Sequence, residues 1–132
     1  MTVSPGHALD ERTVGPVTQT DVVRFAGAGG DFNPLHHDVD FARAAGFDPP
    51  IAMGQLTAGL LAAYLTDWCG VEQLRSYEVR FTAPLAIGRT VTMSGTVVSV
   101  SDGMALVELI ARDDLGTVLV IGSAQVGVVG HR

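Results

Sequence analysis

The 132-residue chain has no lysine, a single cysteine (Cys69) and no long hydrophobic run. Without lysine there is no side-chain amine for a Schiff base or for pyridoxal chemistry, so both mechanisms are excluded. One cysteine cannot form an internal disulfide, which agrees with a reducing compartment. A transmembrane helix needs roughly 18 or more consecutive apolar residues. No segment approaches this length, so no membrane association is expected.

Positive charge is also scarce. Eight arginines are outnumbered by 14 acidic residues, and the net charge is −6. A domain this acidic is repelled by phosphate backbones, so nucleic acid is not expected as a partner. Residues 1–11 show no cationic stretch followed by an apolar run, which predicts no signal peptide and a cytoplasmic location.

The composition predicts a folded globule, because 47% of the residues are hydrophobic and only 17% are charged. At this length one domain is expected, spanning residues 1–132. The first half has the patterns of helices and loops. Thr18 and Asp21 have the spacing of a capping box for a short helix that the glycine-rich residues 27–30 should end. Asp38 is placed to cap a second short helix through Ala45, with Gly46 as its stop.

A third helix is predicted from Gly54 to Cys69, with Gly70 ending it. Large apolar side chains recur in it at helical spacing, and alanine and glycine fill much of the remainder. A helix that is apolar on nearly all sides is buried. The large side chains are those of Leu56, Leu60, Leu61, Tyr64, Leu65 and Trp68.

The periodicity changes in the second half of the chain. Tyr77, Val79 and Phe81 alternate with charged residues, which predicts a half-buried strand. Three more strands are predicted at residues 90–100, 104–112 and 118–129, joined by hairpin turns at 101–103 and 113–116. The fold class is therefore α+β, with one long buried helix against an antiparallel sheet.

The most informative segment is Gly30-Asp31-Phe32-Asn33-Pro34-Leu35-His36. A site that adds water to a polarised double bond must take a proton from water and supply one to the neighbouring carbon. Asp31 and His36 can do both if a turn brings them to one pocket, and positioned acid–base groups contribute about 10²–10⁴-fold in rate. Asn33 can donate and accept, so it is suited to hold the water or the carboxylate.

Two simpler interpretations compete with catalysis here. In the first, Asp31 and Asn33 only form Asx turns and His36 only satisfies a backbone carbonyl. Residues 30–36 alone do not decide between this loop and a catalytic site. In the second, a metal binds at residues 36–38. Adjacent histidines rarely point at one ion, and the other histidines, His7 and His131, are near the termini, so no metal site is expected.

A second functional element is expected at the start of the long helix. The first amides of a helix lack internal partners and carry a partial positive charge. At Gly54 no side chain blocks the approach of a substrate oxygen to the backbone N–H. If that oxygen belongs to a thioester, the developing enolate is stabilised, and one such donor contributes about 2.7–4 kcal/mol. Alternatively, Gly54 simply eases the turn into the helix.

Residues 25–42 resemble the MaoC-like family of (R)-specific enoyl-thioester hydratases and dehydratases. The family motif is an aromatic residue, small residues, Gly-Asp-x-Asn-Pro-aliphatic-His, five residues and a small residue. Phe25 to His36, with Ala42, matches it throughout. The resemblance extends to residues 51–54 and 79–84 and covers about residues 18–129. It departs at Met53, where many members have histidine.

The resemblance implies a hot-dog fold, in which an antiparallel sheet wraps around the long helix, usually in a dimer with acyl tunnels at the subunit interface. It also implies a hydro-lyase that adds water across a trans-2-enoyl thioester. Asp31 and His36 would activate the water, Asn33 would support them, and the Gly54 amide would bind the thioester oxygen.

By the same resemblance, no metal or redox cofactor is required, and the acyl group arrives on coenzyme A or on an acyl carrier protein. The expected assembly is a homodimer, or a heterodimer with a related subunit. Two alternatives remain open. They are a hot-dog acyl-CoA thioesterase, and the non-catalytic subunit of a heterodimeric dehydratase, in place of the hydratase.

Overall fold

The computed structural model describes residues 2–128. This part of the chain contains five strands, three α-helices and two single 3₁₀ turns. In chain order the elements are β1 Arg12–Val14, α1 Gln19–Gly29, the 3₁₀ turn Pro34–His36, α2 Val39–Ala44, α3 Gly54–Cys69, the 3₁₀ turn Val71–Gln73, β2 Leu74–Phe81, β3 Val91–Ser101, β4 Met104–Asp113 and β5 Val118–Gly127. None of these helices is both long enough and apolar enough to cross a membrane.

The strands form one antiparallel sheet in the order β1-β3-β4-β5-β2. Asp102 and Gly103 join β3 to β4 with φ values of 53° and 73°, which suits a tight hairpin turn. The four predicted strands are confirmed with small shifts at their ends. Val129, the predicted end of the last strand, lies outside the described residues. The three-residue β1 was missed, because so short a segment shows no periodicity.

Helix α3 has the predicted bounds and packs across one face of the sheet. Leu61 and Leu65 on its sheet-facing side are fully buried. The prediction that α3 is buried on nearly all sides was wrong, because the row Gln55, Gly59, Ala63 and Asp67 is exposed. A single sheet covers only one side of a helix, and the small residues of this row expose little apolar surface.

Helix α1 begins with the predicted capping box. The Thr18 hydroxyl accepts a hydrogen bond from the Asp21 amide at 3.1 Å, and the Asp21 carboxylate accepts from the Thr18 amide at 2.9 Å. The bond from the Thr18 amide is the largest cause of the lowered pKa of Asp21. The helix continues through Gly27, because one glycine weakens a helix by only about 1 kcal/mol. It ends at Gly30, which has φ 71°.

Helix α2 is confirmed as well. The Asp38 carboxylate accepts from the Phe41 amide at 3.1 Å and caps the helix. The helix ends at Ala44, one residue before the predicted end, and Gly46 follows with φ 95°. The two short helices therefore enclose residues 30–38, the segment that carries the candidate acid–base residues.

Thr18→Ala should lower the free energy of unfolding by about 1 kcal/mol, because it leaves the Asp21 amide without its capping partner. Chemical denaturation followed by circular dichroism measures the change. Thr20→Ala is the matched control, since Thr20 is exposed in the same helical turn and alanine has the higher helix propensity. Equal effects of the two substitutions would contradict the capping role.

Candidate active site

Asp31 is placed by the end of α1. The left-handed conformation of Gly30 turns the chain so that the Asp31 amide donates to the Ala26 carbonyl at 3.0 Å. Its carboxylate then folds over the next residues, where Oδ1 accepts from the Asn33 amide at 3.2 Å. This Asx turn holds one carboxylate oxygen, and the other, Oδ2, is directed towards His36.

Asn33 lies in the same loop but uses its side chain differently. Its Oδ1 accepts from the Leu35 amide at 3.0 Å and caps the 3₁₀ turn, in which Pro34 is the first residue. The carboxamide was expected to hold the water or the carboxylate. In the structure the backbone amide of Asn33 donates to the Asp31 carboxylate, and its side-chain Oδ1 shapes the turn that carries His36. The expected contact of the carboxamide with a water molecule stays a prediction.

His36 is buried, with only 7% of its surface exposed. Its Nδ1 lies 2.8 Å from the carbonyl oxygen of Ile51. A carbonyl can only accept, so Nδ1 carries the proton and Nε2 of the neutral ring is left as an acceptor. The same two segments are joined by a second bond, because the Ile51 amide donates to the Leu35 carbonyl at 3.2 Å.

Ile51 is the middle residue of the segment 50–52, which we call the strap, and both of its neighbours are hydrogen-bonded to residues 85–87. The Ala52 amide donates to the Leu85 carbonyl at 2.8 Å, and the Ile87 amide donates to the Pro50 carbonyl at 3.0 Å. The strap is therefore anchored on both sides of Ile51. A rigid acceptor at this position restricts the orientation of the His36 ring.

Gln19 also positions His36, and the sequence analysis missed it. From the first turn of α1 its Nε2 donates to the His36 carbonyl at 2.8 Å. The two residues are 17 positions apart, and no local pattern links them. In the sequence Gln19 stands out only as the residue after the predicted N-cap, and that position does not indicate a partner 17 residues away.

The free atoms of the two ionisable groups converge. His36 Nε2 lies 3.4 Å from Asp31 Oδ2. This separation is long for a direct hydrogen bond, but one water molecule can touch both atoms. The contacts of the simpler loop interpretation, the two Asx turns and the bond from His36 to a carbonyl, are all present. They use only Oδ1 of Asp31 and only Nδ1 of His36. The loop contacts thus orient the remaining atoms, and the two interpretations are compatible.

Gly54 lines the same cavity as Asp31 and His36. This cavity has a volume of about 530 Å³ and extends along the start of α3 and the segment that follows β2. Met53 is the N-cap of α3 and makes no side-chain hydrogen bond to the first amides of the helix. The positive end of α3 therefore faces the cavity that contains the two acid–base groups.

The ring of Phe81 packs against the backbone of Gly54. A Cβ atom built on Gly54 would lie 2.8 Å from Cδ1 and Cε1 of Phe81. Phe81 was predicted to face the core as part of an alternating strand, but 49% of its surface is exposed and it lines the cavity. The reason is its position at the last residue of β2, where the strand passes the start of α3.

A larger cavity of about 710 Å³ lies between α1 and α3. Its walls are mainly apolar and include Val17, Phe25, Leu56 and Leu60. Asp21 is the one carboxylate that lines it, and that group is already engaged in the capping box. The smaller cavity is therefore the candidate active site despite its size, because it contains the available acid–base atoms.

Cys69 has the environment of a structural residue. Burial raises the pKa of its thiol, and its Sγ donates to the Gly70 carbonyl at 3.3 Å. A thiol with a raised pKa is a poor nucleophile. Within residues 2–128 no three His, Cys, Asp or Glu side chains are grouped so that they could hold a metal ion. His131 lies outside this range.

Gln19→Met should lower the free energy of unfolding by about 0.5–1.5 kcal/mol, the usual net contribution of one hydrogen bond. It should also speed amide hydrogen exchange in residues 33–37, which lose an anchor. Gln125→Met is the control, because Gln125 is exposed on β5. Unchanged exchange in this loop would show that Gln19 does not hold it.

Gly54→Ala should destabilise the fold by about 1–2 kcal/mol, because the new methyl group displaces the Phe81 ring. Phe81→Leu in the same chain should recover much of that loss by making room. Denaturant unfolding of both single variants and the double variant gives the coupling between them. Simple additivity of the two effects would rule out the contact as the cause.

The chain is similar to known proteins in sequence and in fold. A family profile for the MaoC like domain matches residues 2–118. The beta subunit of 3-oxo-4,17-pregnadiene-20-carboxyl-CoA hydratase from Mycobacterium tuberculosis is 40% identical over 99 residues, which are 74% of this chain and 76% of that protein.

Two solved structures are similar over almost their whole length. A chain of the ChsH1-ChsH2 complex from Mycobacterium tuberculosis has a TM-score of 0.85 at 33% identity, covering 98% of this chain and 100% of its own. The (R)-hydratase from A. caviae involved in PHA biosynthesis has a TM-score of 0.87 at 26% identity, covering 97% and 98%. The predicted α+β hot-dog fold is confirmed. With the family profile matching most of its length, the chain belongs to the MaoC-like domain family.

Proposed function

We propose that the protein catalyses the reversible syn hydration of trans-2-enoyl thioesters to (R)-3-hydroxyacyl thioesters. The observation that carries this proposal is the approach of His36 Nε2 to within 3.4 Å of Asp31 Oδ2, in a cavity that also contains the Gly54 amide. Two of the relatives named above are a subunit of a hydratase and an (R)-hydratase, and hydratases are hydro-lyases.

The first step is activation of water. His36 Nε2 accepts a hydrogen bond from a water molecule because the Ile51 carbonyl holds the ring proton on Nδ1. Asp31 Oδ2 is close enough to accept from the same molecule. As the water oxygen attacks C3 of the enoyl group, one water proton passes to the Asp31–His36 pair and the C3–O bond forms.

The second step moves the electron pair of the double bond towards the thioester. The C2–C3 π pair shifts to give an enolate whose charge rests on the thioester oxygen. In this proposal the Gly54 amide, at the positive end of α3, donates to this oxygen. The Asp31–His36 pair then returns one proton to C2. The pair ends as it began, and the net change is the addition of one water.

Syn addition follows from the position of the pair. The same two residues hold the attacking water and deliver the proton to C2, so both additions occur on one face of the double bond. The reverse reaction uses the same groups with their roles exchanged. The reaction is redox-neutral and needs only proton transfer, so we propose that no metal or redox cofactor takes part.

The cavity walls are suited to an acyl chain. Beyond the polar residues the lining is apolar and includes Ile51, Met53, Pro84, Leu85 and Val120. An acyl group can bury its hydrocarbon against these side chains. We propose that it arrives as a thioester of coenzyme A or of an acyl carrier protein.

The assembly is proposed to be a dimer of hot-dog chains. In the described sheet β2 pairs with β5 on one side, and its other edge has no strand beside it. The similar chain of the ChsH1-ChsH2 complex and the relative named a beta subunit favour a heterodimer with a related subunit as the alternative to a homodimer. Since this chain has the complete Asp31–His36 pair, it would be the catalytic partner.

Asp31→Asn and His36→Ala should each reduce kcat by about 10²–10⁴-fold, because each removes one half of the proton-transfer pair. The assay follows the loss of conjugated enoyl absorbance with crotonyl-CoA and longer trans-2-enoyl thioesters. His37→Gln is the matched control, because His37 is exposed and does not line the cavity. Activity within tenfold of wild type in either site variant would reject the assignment.

The same preparation separates the alternative functions. Release of free thiol from a saturated acyl-CoA would indicate a thioesterase. Turnover by the purified chain in the absence of another subunit would eliminate a non-catalytic role. The mass of the purified protein by light scattering would show whether it self-associates.

A further inference from the structure

Thr57 is a buried polar residue without a hydrogen-bond partner in the structure. It lies on α3, only 2% of its surface is exposed, and its hydroxyl forms no hydrogen bond within residues 2–128. By contrast, the buried side chain of His36 is bonded to the Ile51 carbonyl, and the buried hydroxyl of Tyr64 donates to the Asp10 carbonyl. A buried hydroxyl that lacks a partner costs free energy, so its presence needs an explanation.

The Thr57 hydroxyl is not sealed inside the core. In the described part of the chain no fully enclosed side-chain oxygen or nitrogen lacks a hydrogen-bond partner. The unpartnered Oγ1 of Thr57 must therefore be accessible to a small molecule. Thr57 lines the 530 Å³ cavity together with Asp31, His36 and Gly54, so the access is from the candidate active site.

Helix geometry places Thr57 on the same face of α3 as Gly54. Residues three apart share one face of a helix, and side chains lean towards the helix N-terminus. Thr57 is three positions after Gly54 and thus leans over the first turn of α3.

We infer that Thr57 is a catalytic residue whose hydroxyl is the second hydrogen-bond donor to the thioester oxygen, beside the Gly54 amide. This role rests on the proposed function. Two donors share the charge of the enolate oxygen, as is common in sites for acyl transfer. The hydroxyl lacks a protein partner in the structure because its partner is the substrate. Because the hydroxyl opens to the cavity, it can exchange solvent for the thioester oxygen when the substrate binds.

The test compares Thr57→Val, which keeps the branched shape without the hydroxyl, with Thr57→Ser, which keeps the hydroxyl. With crotonyl-CoA, Thr57→Val should lower kcat by roughly 10²–10³-fold, the usual effect of removing one oxyanion donor, with a smaller change in KM. Its Tm should be nearly unchanged, because the removed hydroxyl makes no hydrogen bond to the described part of the protein. Thr57→Ser should keep kcat within about fivefold of wild type.

Thr66→Val is the matched control on the same helix. Its hydroxyl donates to the Ala63 carbonyl at 3.3 Å, and Thr66 does not line the cavity, so kcat should not change. If Thr57→Val keeps kcat within threefold of wild type, the inference is wrong. The inference is also wrong if Thr57→Ser loses as much activity as Thr57→Val and both have a lower Tm, because Thr57 would then be structural.

A spectroscopic measurement separates this inference from the proposed function. Crotonyl-CoA labelled with ¹³C at the thioester carbon is bound to Asp31→Asn protein, and the carbonyl stretch is recorded by difference infrared spectroscopy. Donors on the oxygen lower the stretch, and adding Thr57→Val should shift it back towards the free value. If the shift is seen but wild-type protein does not hydrate crotonyl-CoA, only the proposed function is rejected. Hydration without this shift would reject the Thr57 role alone, and absence of binding would reject both.

Discussion

The hydrogen bond from His36 Nδ1 to the Ile51 carbonyl, at 2.8 Å, organises the whole site. It settles which ring nitrogen carries the proton, and it turns Nε2 towards Asp31. It also links the 3₁₀ turn to the strap, whose next residues lead directly into α3. Ile51 provides the acceptor for the imidazole, and Gly54, three residues later, provides the amide at the helix start. One short segment therefore positions both halves of the proposed chemistry.

Structural and chemical roles are divided between atoms of the same side chain. Asp31 uses Oδ1 in an Asx turn and leaves Oδ2 free, and His36 uses Nδ1 for the strap and leaves Nε2 free. Each bond that restrains one atom reduces the conformational freedom of the other. Such pre-organisation matters because a small misplacement of reacting groups is costly in rate. The turn contacts of residues 30–36 are thus compatible with the proposed active site and support its geometry.

Helix α3 serves as both core and platform. Its sheet-facing side, with Leu61 and Leu65, is buried in the core, so the position of its N-terminus is determined by packing along the whole helix. The amide of Gly54 and the hydroxyl of Thr57 are presented from the first turn of this rigid element. The Phe81 ring closes over the same turn and contacts Gly54. A site built on a packed helix is held more precisely than one built on loops alone.

Local features were predictable from the sequence because they depend on neighbouring residues. The capping box of Thr18 and Asp21, the start of α2 at Asp38 and the limits of α3 involve contacts within a few positions. The motif at residues 30–36 also identified Asp31 and His36 as candidates. The exposed side of α3 was not predictable, since apolar composition does not show how much of a helix a sheet will cover.

The sequence by itself determined which chemical groups this protein has and which local turns and helices carry them. Only the tertiary structure decided how those groups are oriented relative to one another. The bonds from Gln19 to His36, from His36 to Ile51 and from the strap to residues 85–87 join segments 15 or more positions apart. Contacts over such distances are set by how helices and strands pack, and no local pattern of residues encodes them.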